Sequence, residues 1–268
     1  MKRITSLLLC LGLLFTFLAF PSAAAAPAEF TTFEAAFKTW RGDWCAGCGP
    51  IKMKLEGNAM TLEYRPVFYF DKSFTLTDAE KDSVVADCVE GYKGWEGAYD
   101  IGGHTLTIAV DVYPDITDKK LCSSVQILPA SDLASMVPGC LIWWPGSPLL
   151  TMYLRANNPA TYRWYAEDAM HEFGHVLGLF DAYGYRGHFE GISVLGVGLP
   201  FLADWADQLL PEAPEDRAPY NCIMQCGWVV TDKEAEMVLY AWSRRRLQLF
   251  TKNVLTLLGA EVSSAFCD

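Results

Sequence analysis

Histidine is scarce in this chain, with four residues in 268. Basic residues are outnumbered as well: 21 Lys and Arg stand against 32 Asp and Glu, a formal charge of -11. That deficit excludes nucleic acid as a partner, because a phosphate-binding surface needs clustered Lys and Arg. The one basic run, Arg244-Arg245-Arg246, reads as a solvated helix face. Internal repeats and low-complexity linkers are absent, which excludes a solenoid or an array. Past the first residues no apolar stretch is long enough to span a bilayer. Cys45-Ala-Gly-Cys48 has no second CxxC to complete a zinc knuckle and no thioredoxin-like surroundings, so a disulfide role is preferred for it.

What is present begins with a leader. Lys2 and Arg3 precede an apolar run from Ile4 to Phe20, followed by Pro21 and the small residues Ser22 to Ala28. This is the layout of a secretory signal peptide over residues 1–28, cut after Ala25 or Ala28. It predicts a secreted, extracellular or periplasmic protein with no stable membrane association once the leader is removed. Nine cysteines less Cys10 in the leader leave eight: Cys45, Cys48, Cys88, Cys122, Cys140, Cys222, Cys226 and Cys267. In an exported chain these predict up to four disulfides, of undetermined connectivity.

Hydrophobic periodicity predicts a hairpin over Ile51 to Phe70, turning at Glu56-Gly57-Asn58-Ala59, within an N-terminal extension of residues 29–76. The rest, 77–268, reads as one domain. A helix over Asp78 to Tyr92 carries a capping box of Thr77 and Glu80. Strands follow at His104 to Tyr113, Ser124 to Leu128 and Pro148 to Arg155, the last near the rim of the sheet. Asn158 and Pro159 start a helix to about Leu177. A Gly-rich stretch over 183–220 holds one short helix near Phe201 to Leu210. A second capping box, Thr231 and Glu234, opens a helix from Asp232 to about Leu249. This order is α+β, with a mixed twisted sheet.

Two of the four histidines sit in the segment HEFGHVLGLFD, from His171 to Asp181. On a helix, residues four apart lie one above the other, so His171 and His175 can grip one metal ion. Glu172 is rotated by about 100° from His171 and suits a general base acting on a water at that ion. Gly178 tolerates the left-handed conformation that ends helices, so the chain can turn back and bring Asp181 to the ion as third ligand. Three protein ligands leave a fourth position for water, the mark of a catalytic zinc site. A shuffled chain of this composition would contain HExxH in about three orderings per thousand, and the full pattern in roughly two per hundred thousand.

HEFGHVLGLFD resembles the HExxHxxGxx(H/D) signature of the metzincin zinc peptidases. The resemblance is greatest to the branch with Asp as third ligand, to which snapalysin belongs, and extends to immune inhibitor A. It implies a zincin/metzincin-like fold in which an active-site helix, a methionine-bearing turn and a C-terminal helix follow one another. Asn221-Cys222-Ile223-Met224-Gln225-Cys226-Gly227 suits the turn, with Met224 below the metal. The implied protein is a zinc endopeptidase acting on protein or peptide, its oligomeric state open. A zinc amidase on a non-protein amide and a secreted, non-catalytic metal-binding module remain alternatives. Some metzincins place a tyrosine two residues after the methionine; here Cys226 stands there, and Tyr183 or Tyr185 is a candidate substitute, with packing the preferred reading for either. Trp40-Arg41-Gly42-Asp43 loosely resembles a Gly-Asp latency segment, a role set aside because no propeptide boundary is evident.

The remaining candidates are weaker. His188 competes with Asp181 as third ligand, and His104, opening a strand, reads as structural. Asp111, Asp115 and Asp118 have the character of a calcium site or of solvated loops. Asp168 orients a histidine or faces solvent.

Overall fold

A computed structural model of the chain describes residues 51–121, 124–130, 140–141, 151–184, 193–194, 197–198, 204, 208–225, 227–244 and 246–266. Strand β1 (Ile51–Glu56) turns at Gly57 into β2 (Ala59–Tyr64), and the two pair antiparallel as the hairpin reading requires. After β3 (Val67–Phe70), helix α1 (Asp78–Lys93) opens with both halves of the Thr77–Glu80 capping box formed. Strands β4 (Gly97–Ile101), β5 (His104–Val112), β6 (Asp115–Thr117), β7 (Val125–Pro129), β8 (Cys140–Leu141) and β9 (Thr151–Ala156) complete the sheet region.

Two sheets are laid out, in the orders β1-β2-β5-β4 and β6-β3-β7-β9-β8. They run into each other. Tyr113 N–H donates to the Tyr64 carbonyl (2.8 Å) and Asp115 N–H to that of Pro66 (2.9 Å), so the parallel β2/β5 ladder continues into β3/β6. Pro66 and Pro114 lack the N–H that would fill the step between. The result is a twisted, mixed sheet, parallel through β6, β3, β7 and β9, with β8 antiparallel at the edge. Alternation along β5 buries Leu106, Ile108 and Val110 and exposes Thr105, Thr107 and Ala109, which leaves one apolar face for helices to cover.

Helix α2 (Tyr165–Val176) covers part of that face. Tyr64 of β2, Tyr92 of α1 and Phe173 of α2 meet with ring centroids 5.0–5.2 Å apart and fix the layers together. Such aromatic pairs contribute ~0.5–1.5 kcal/mol each beyond their burial. The Trp95 indole N–H also donates to the Met170 carbonyl (2.9 Å). Beyond the small ribbon of β10 (Ser193–Val194) and β11 (Val197–Gly198), helix α3 (Asp232–Arg244) reaches the C-terminal end of α2 through Trp242. The chain ends in the parallel pair β12 (Gln248–Leu249) and β13 (Glu261–Val262).

Several expectations change. Helix α2 begins at Tyr165 rather than Pro159, because Asn158 closes a separate turn: its carbonyl accepts from Thr161 and Tyr162 N–H, and its side chain from Ala160 N–H. Helix α3 stops at Arg244, since Gln248 is taken into pairing with the segment that leaves α2. Strand β9 does lie near the rim of the sheet, with only the two-residue β8 outside it, pairing at Met152 and Thr151. Residues 51–70, read as part of an extension, share both sheets with segments beyond residue 77. Cys88 and Cys222 are buried free thiols, not disulfide partners; Cys88 lies in the core and Cys222 against the Glu234 carboxylate. The leader, Trp40–Asp43, Cys45, Cys48, Cys122, Cys226 and Cys267 lie outside the described residues, as does most of the helix expected over 201–210. Among the described residues no helix is long and apolar enough to cross a membrane.

Candidate metal centre

Helix α2 ends as the glycine at position 178 suggests. Gly178 has φ 98°, its N–H donates to the His175 carbonyl (2.9 Å), and Leu179 N–H reaches back to that of Gly174 (3.0 Å). This pair of bonds is the Schellman termination, available at low cost only where φ is positive. The Trp242 indole of α3 donates to the Leu177 carbonyl at 3.1 Å, satisfying a further exposed end of the helix. Phe180 N–H then pairs with Gln248 (3.0 Å) and Ala182 N–H with the Met224 carbonyl (2.9 Å). Asp181, held between those two anchors, is turned back under α2.

His171, Glu172 and His175 form a group able to hold a metal ion, with one donor atom from each lying within 4.8 Å of the others. Asp181 reaches the same point more closely. Its Oδ1 lies 3.0 Å from His171 Nε2 and 3.2 Å from His175 Nε2, whereas the Glu172 carboxylate stands 3.9 Å from His175. Both imidazoles are held at their other nitrogen by backbone oxygen. His171 Nδ1 donates to the Ile223 carbonyl (2.7 Å) and His175 Nδ1 to that of Leu179 (2.9 Å). A carbonyl only accepts, so each neutral ring must carry its proton on Nδ1 and present a bare lone pair at Nε2. Two such lone pairs facing one carboxylate oxygen repel one another unless a cation lies between them. A divalent metal ion or added protons meet that need, and the donor set of two imidazoles and a carboxylate is of the kind zinc takes.

The electrostatics of the protein groups follow from the same contact. Burial opposes charge on His175, but the Asp181 carboxylate outweighs it and raises its pKa to about 9; His171 is raised as well, by its Asp181 bond. Burial pushes the Asp181 carboxyl up, and the two imidazoles more than reverse this, holding it far below the usual carboxylate range. The sign for stability is therefore fixed. Groups whose folded pKa is raised stabilise fully below the unfolded value of about 6.5, and that contribution is lost as pH rises through about 9. Metal binding must displace those protons. Zinc binding at pH 7 is expected to release between about one and two protons, with affinity rising about tenfold per pH unit for each proton released. Calorimetry in buffers of different ionisation enthalpy reads this, and a release of zero contradicts it.

Glu172 differs from Asp181. Burial raises its carboxyl; the two imidazoles lower it and Asp181 and Asp168 raise it, for a net upward shift. Its Oε2 is buried with no hydrogen-bond partner. A carboxylate oxygen left free beside the two imidazoles is available to a water or a substrate proton.

Met224 is fully buried in the turn closed by Gln225 N–H and Gly227 N–H on the Cys222 carbonyl (3.1 and 3.0 Å). Its thioether packs against Gly174, where any β-carbon would collide with the sulfur. Glu234, itself fully buried, accepts from Met224 N–H (2.9 Å) while completing the Thr231 capping box. The turn is thus fastened to α2 through His171 and to α3 through Glu234.

Sequence reasoning missed the carbonyls of Ile223 and Leu179, which act through backbone and leave no mark in residue type. Glu234 was legible as a cap but not as the anchor of the methionine turn, and nothing flagged Trp242. Asp168 neither orients a histidine nor simply faces solvent: its Oδ2 accepts from the Tyr162 hydroxyl (2.6 Å), because Ile223 already holds the His171 Nδ1. Tyr183 stacks on the His171 ring (centroids 5.8 Å, 22°), beside the site. Tyr185 and His188 lie outside the described residues. His104 opens β5 at the surface, away from the group. Asp111, Asp115 and Asp118 do not converge into a calcium site; among the described residues the histidine group is the one cluster of three metal-binding side chains. Set against known protein families, curated proteins and solved structures, the chain gives no match in any of the three comparisons.

Proposed function

We propose that the chain is a secreted zinc endopeptidase of metzincin type, in which His171, His175 and Asp181 hold the ion and Glu172 is the general base. The observation that carries this reading is the meeting of two Nε2 lone pairs on Asp181 Oδ1, within 3.0 and 3.2 Å, beside a glutamate with an unpartnered buried oxygen. A structural site has no use for such a base. Zinc, when bound, polarises a peptide carbonyl and lowers the pKa of water toward ~7. Glu172 takes the proton of the attacking water and hands it to the leaving nitrogen. The Ile223 and Leu179 carbonyls keep both imidazoles in the ligating tautomer, and Met224 supports the helix from below at Gly174. Tyr183, stacked on the His171 ring, is the tyrosine this reading assigns to steady charge on the substrate carbonyl. The leader over residues 1–28 carries the proposal of export.

Purified protein lacking the leader is expected to cut peptides in a whole-proteome digest, and phenanthroline is expected to stop it, with zinc restoring activity. Cleavage indifferent to the chelator, or zinc-loaded protein that cuts no peptide, overturns the proposal.

A further inference from the structure

Beside the metal centre lies a cavity of about 240 Å³ that the reaction above does not use. Tyr162, Trp164, Glu167, Asp168, His171 and Trp228 line it. The two indoles are half exposed, at 51% and 54%, and face each other with ring centroids 5.3 Å apart, tilted by 51°. Solvent exposure of two large apolar rings is a cost the fold does not need for its core. Backbone holds one of them in place: Gly227 N–H donates to Cys222 and Ile223 N–H to Val229 (2.9 Å), so Trp228 leaves the methionine turn in a fixed direction.

Beside His171, the polar part of the lining is made of the Glu167 and Asp168 carboxylates and the Tyr162 hydroxyl. Tyr162 donates to Asp168 Oδ2 and holds that carboxylate in place, and Glu167 keeps its Oε2 buried without a hydrogen-bond partner. Among the described residues no Lys or Arg lines the cavity; Arg163 lines a separate cleft that shares Glu167. Aromatic rings and carboxylates lining one cavity suit a cation on an apolar stem: the rings pack on the stem and attract the charge, and the carboxylates neutralise it. A purely apolar side chain would fill the space and leave a buried carboxylate oxygen uncompensated.

We propose that this cavity receives an arginine or lysine side chain of the substrate, on a residue adjoining the scissile bond, and so sets the peptidase's specificity. The choice of substrate rests on the peptidase reading; the binding of the cation does not. Two arms keep them apart. In the first, Nα-acetylarginine amide and Nα-acetylnorleucine amide are titrated into the zinc-loaded protein, with tryptophan fluorescence as readout. Arginine amide is expected to bind about tenfold or more tightly than norleucine amide. That margin should collapse in Glu167→Gln/Asp168→Asn, while Trp228→Ala, a change at an exposed ring, should weaken the arginine ligand and remove most of its signal. Equal binding of the two amides, or none, overturns the cavity assignment whether or not the protein is a peptidase. In the second arm, cleavage sites in a peptide library are expected to carry Arg or Lys at one fixed position beside the cut. Chelator-sensitive cleavage without that enrichment overturns the specificity and leaves the peptidase reading standing. Failure to cleave, with arginine amide bound, overturns the peptidase reading and the specificity with it, and leaves the cation site standing.

Discussion

Glu172→Gln is expected to lower kcat/KM by at least about 10²–10⁴-fold while the protein keeps one zinc ion. The amide fills the space of the carboxyl and cannot take a proton from water. No hydrogen bond at Oε2 depends on the charge, and burial outweighs the pull of the two imidazoles that favours it. Thermal stability should therefore hold or rise slightly. Helix α2 keeps His171 and His175 in register, because their orientation comes from the Ile223 and Leu179 carbonyls. Steady-state kinetics beside zinc analysis of the same sample checks this. Undiminished turnover would remove Glu172 from the base role; loss of zinc would make it a ligand.

Elements governed by local rules were legible in the sequence. The hairpin at Gly57, the α1 capping box and the left-handed Gly178 each follow from one or two residues whose conformational preferences are strong. Asp181 was legible for the same reason, since a glycine stop three residues after His175 dictates where the chain turns. What escaped depends on partners distant in sequence. The separate turn at Asn158 shows that a good cap and a proline do not commit the next residues to a helix; Tyr162 is instead drawn to Asp168. Cys88 and Cys222 look like disulfide partners by count alone, yet the fold buries each where no second thiol meets it among the described residues. The cavity of Trp164, Trp228, Glu167 and Asp168 joins α2 to a loop some sixty residues on, and no spacing rule foretells it.

Asp181→Ala is expected to cost more in zinc binding than the 10–100-fold typical of changes behind the ligands, because a ligand itself is lost. Two helical imidazoles remain, without the carboxylate that also raises their proton affinity. Burial would then dominate, and both rings should become neutral near pH 7, still donating from Nδ1 to their carbonyls. The variant should thus fold, lose zinc on dialysis and lose activity with it. X-ray absorption at the zinc edge of the wild-type protein tests the underlying arrangement most directly. Two imidazole nitrogens at ~2.0–2.1 Å and oxygen at ~2.0–2.2 Å are predicted, with the oxygen shell diminished in any zinc retained by Asp181→Ala. A sulfur scatterer at ~2.3 Å, or a wild-type spectrum that Asp181→Ala leaves unchanged, would contradict it.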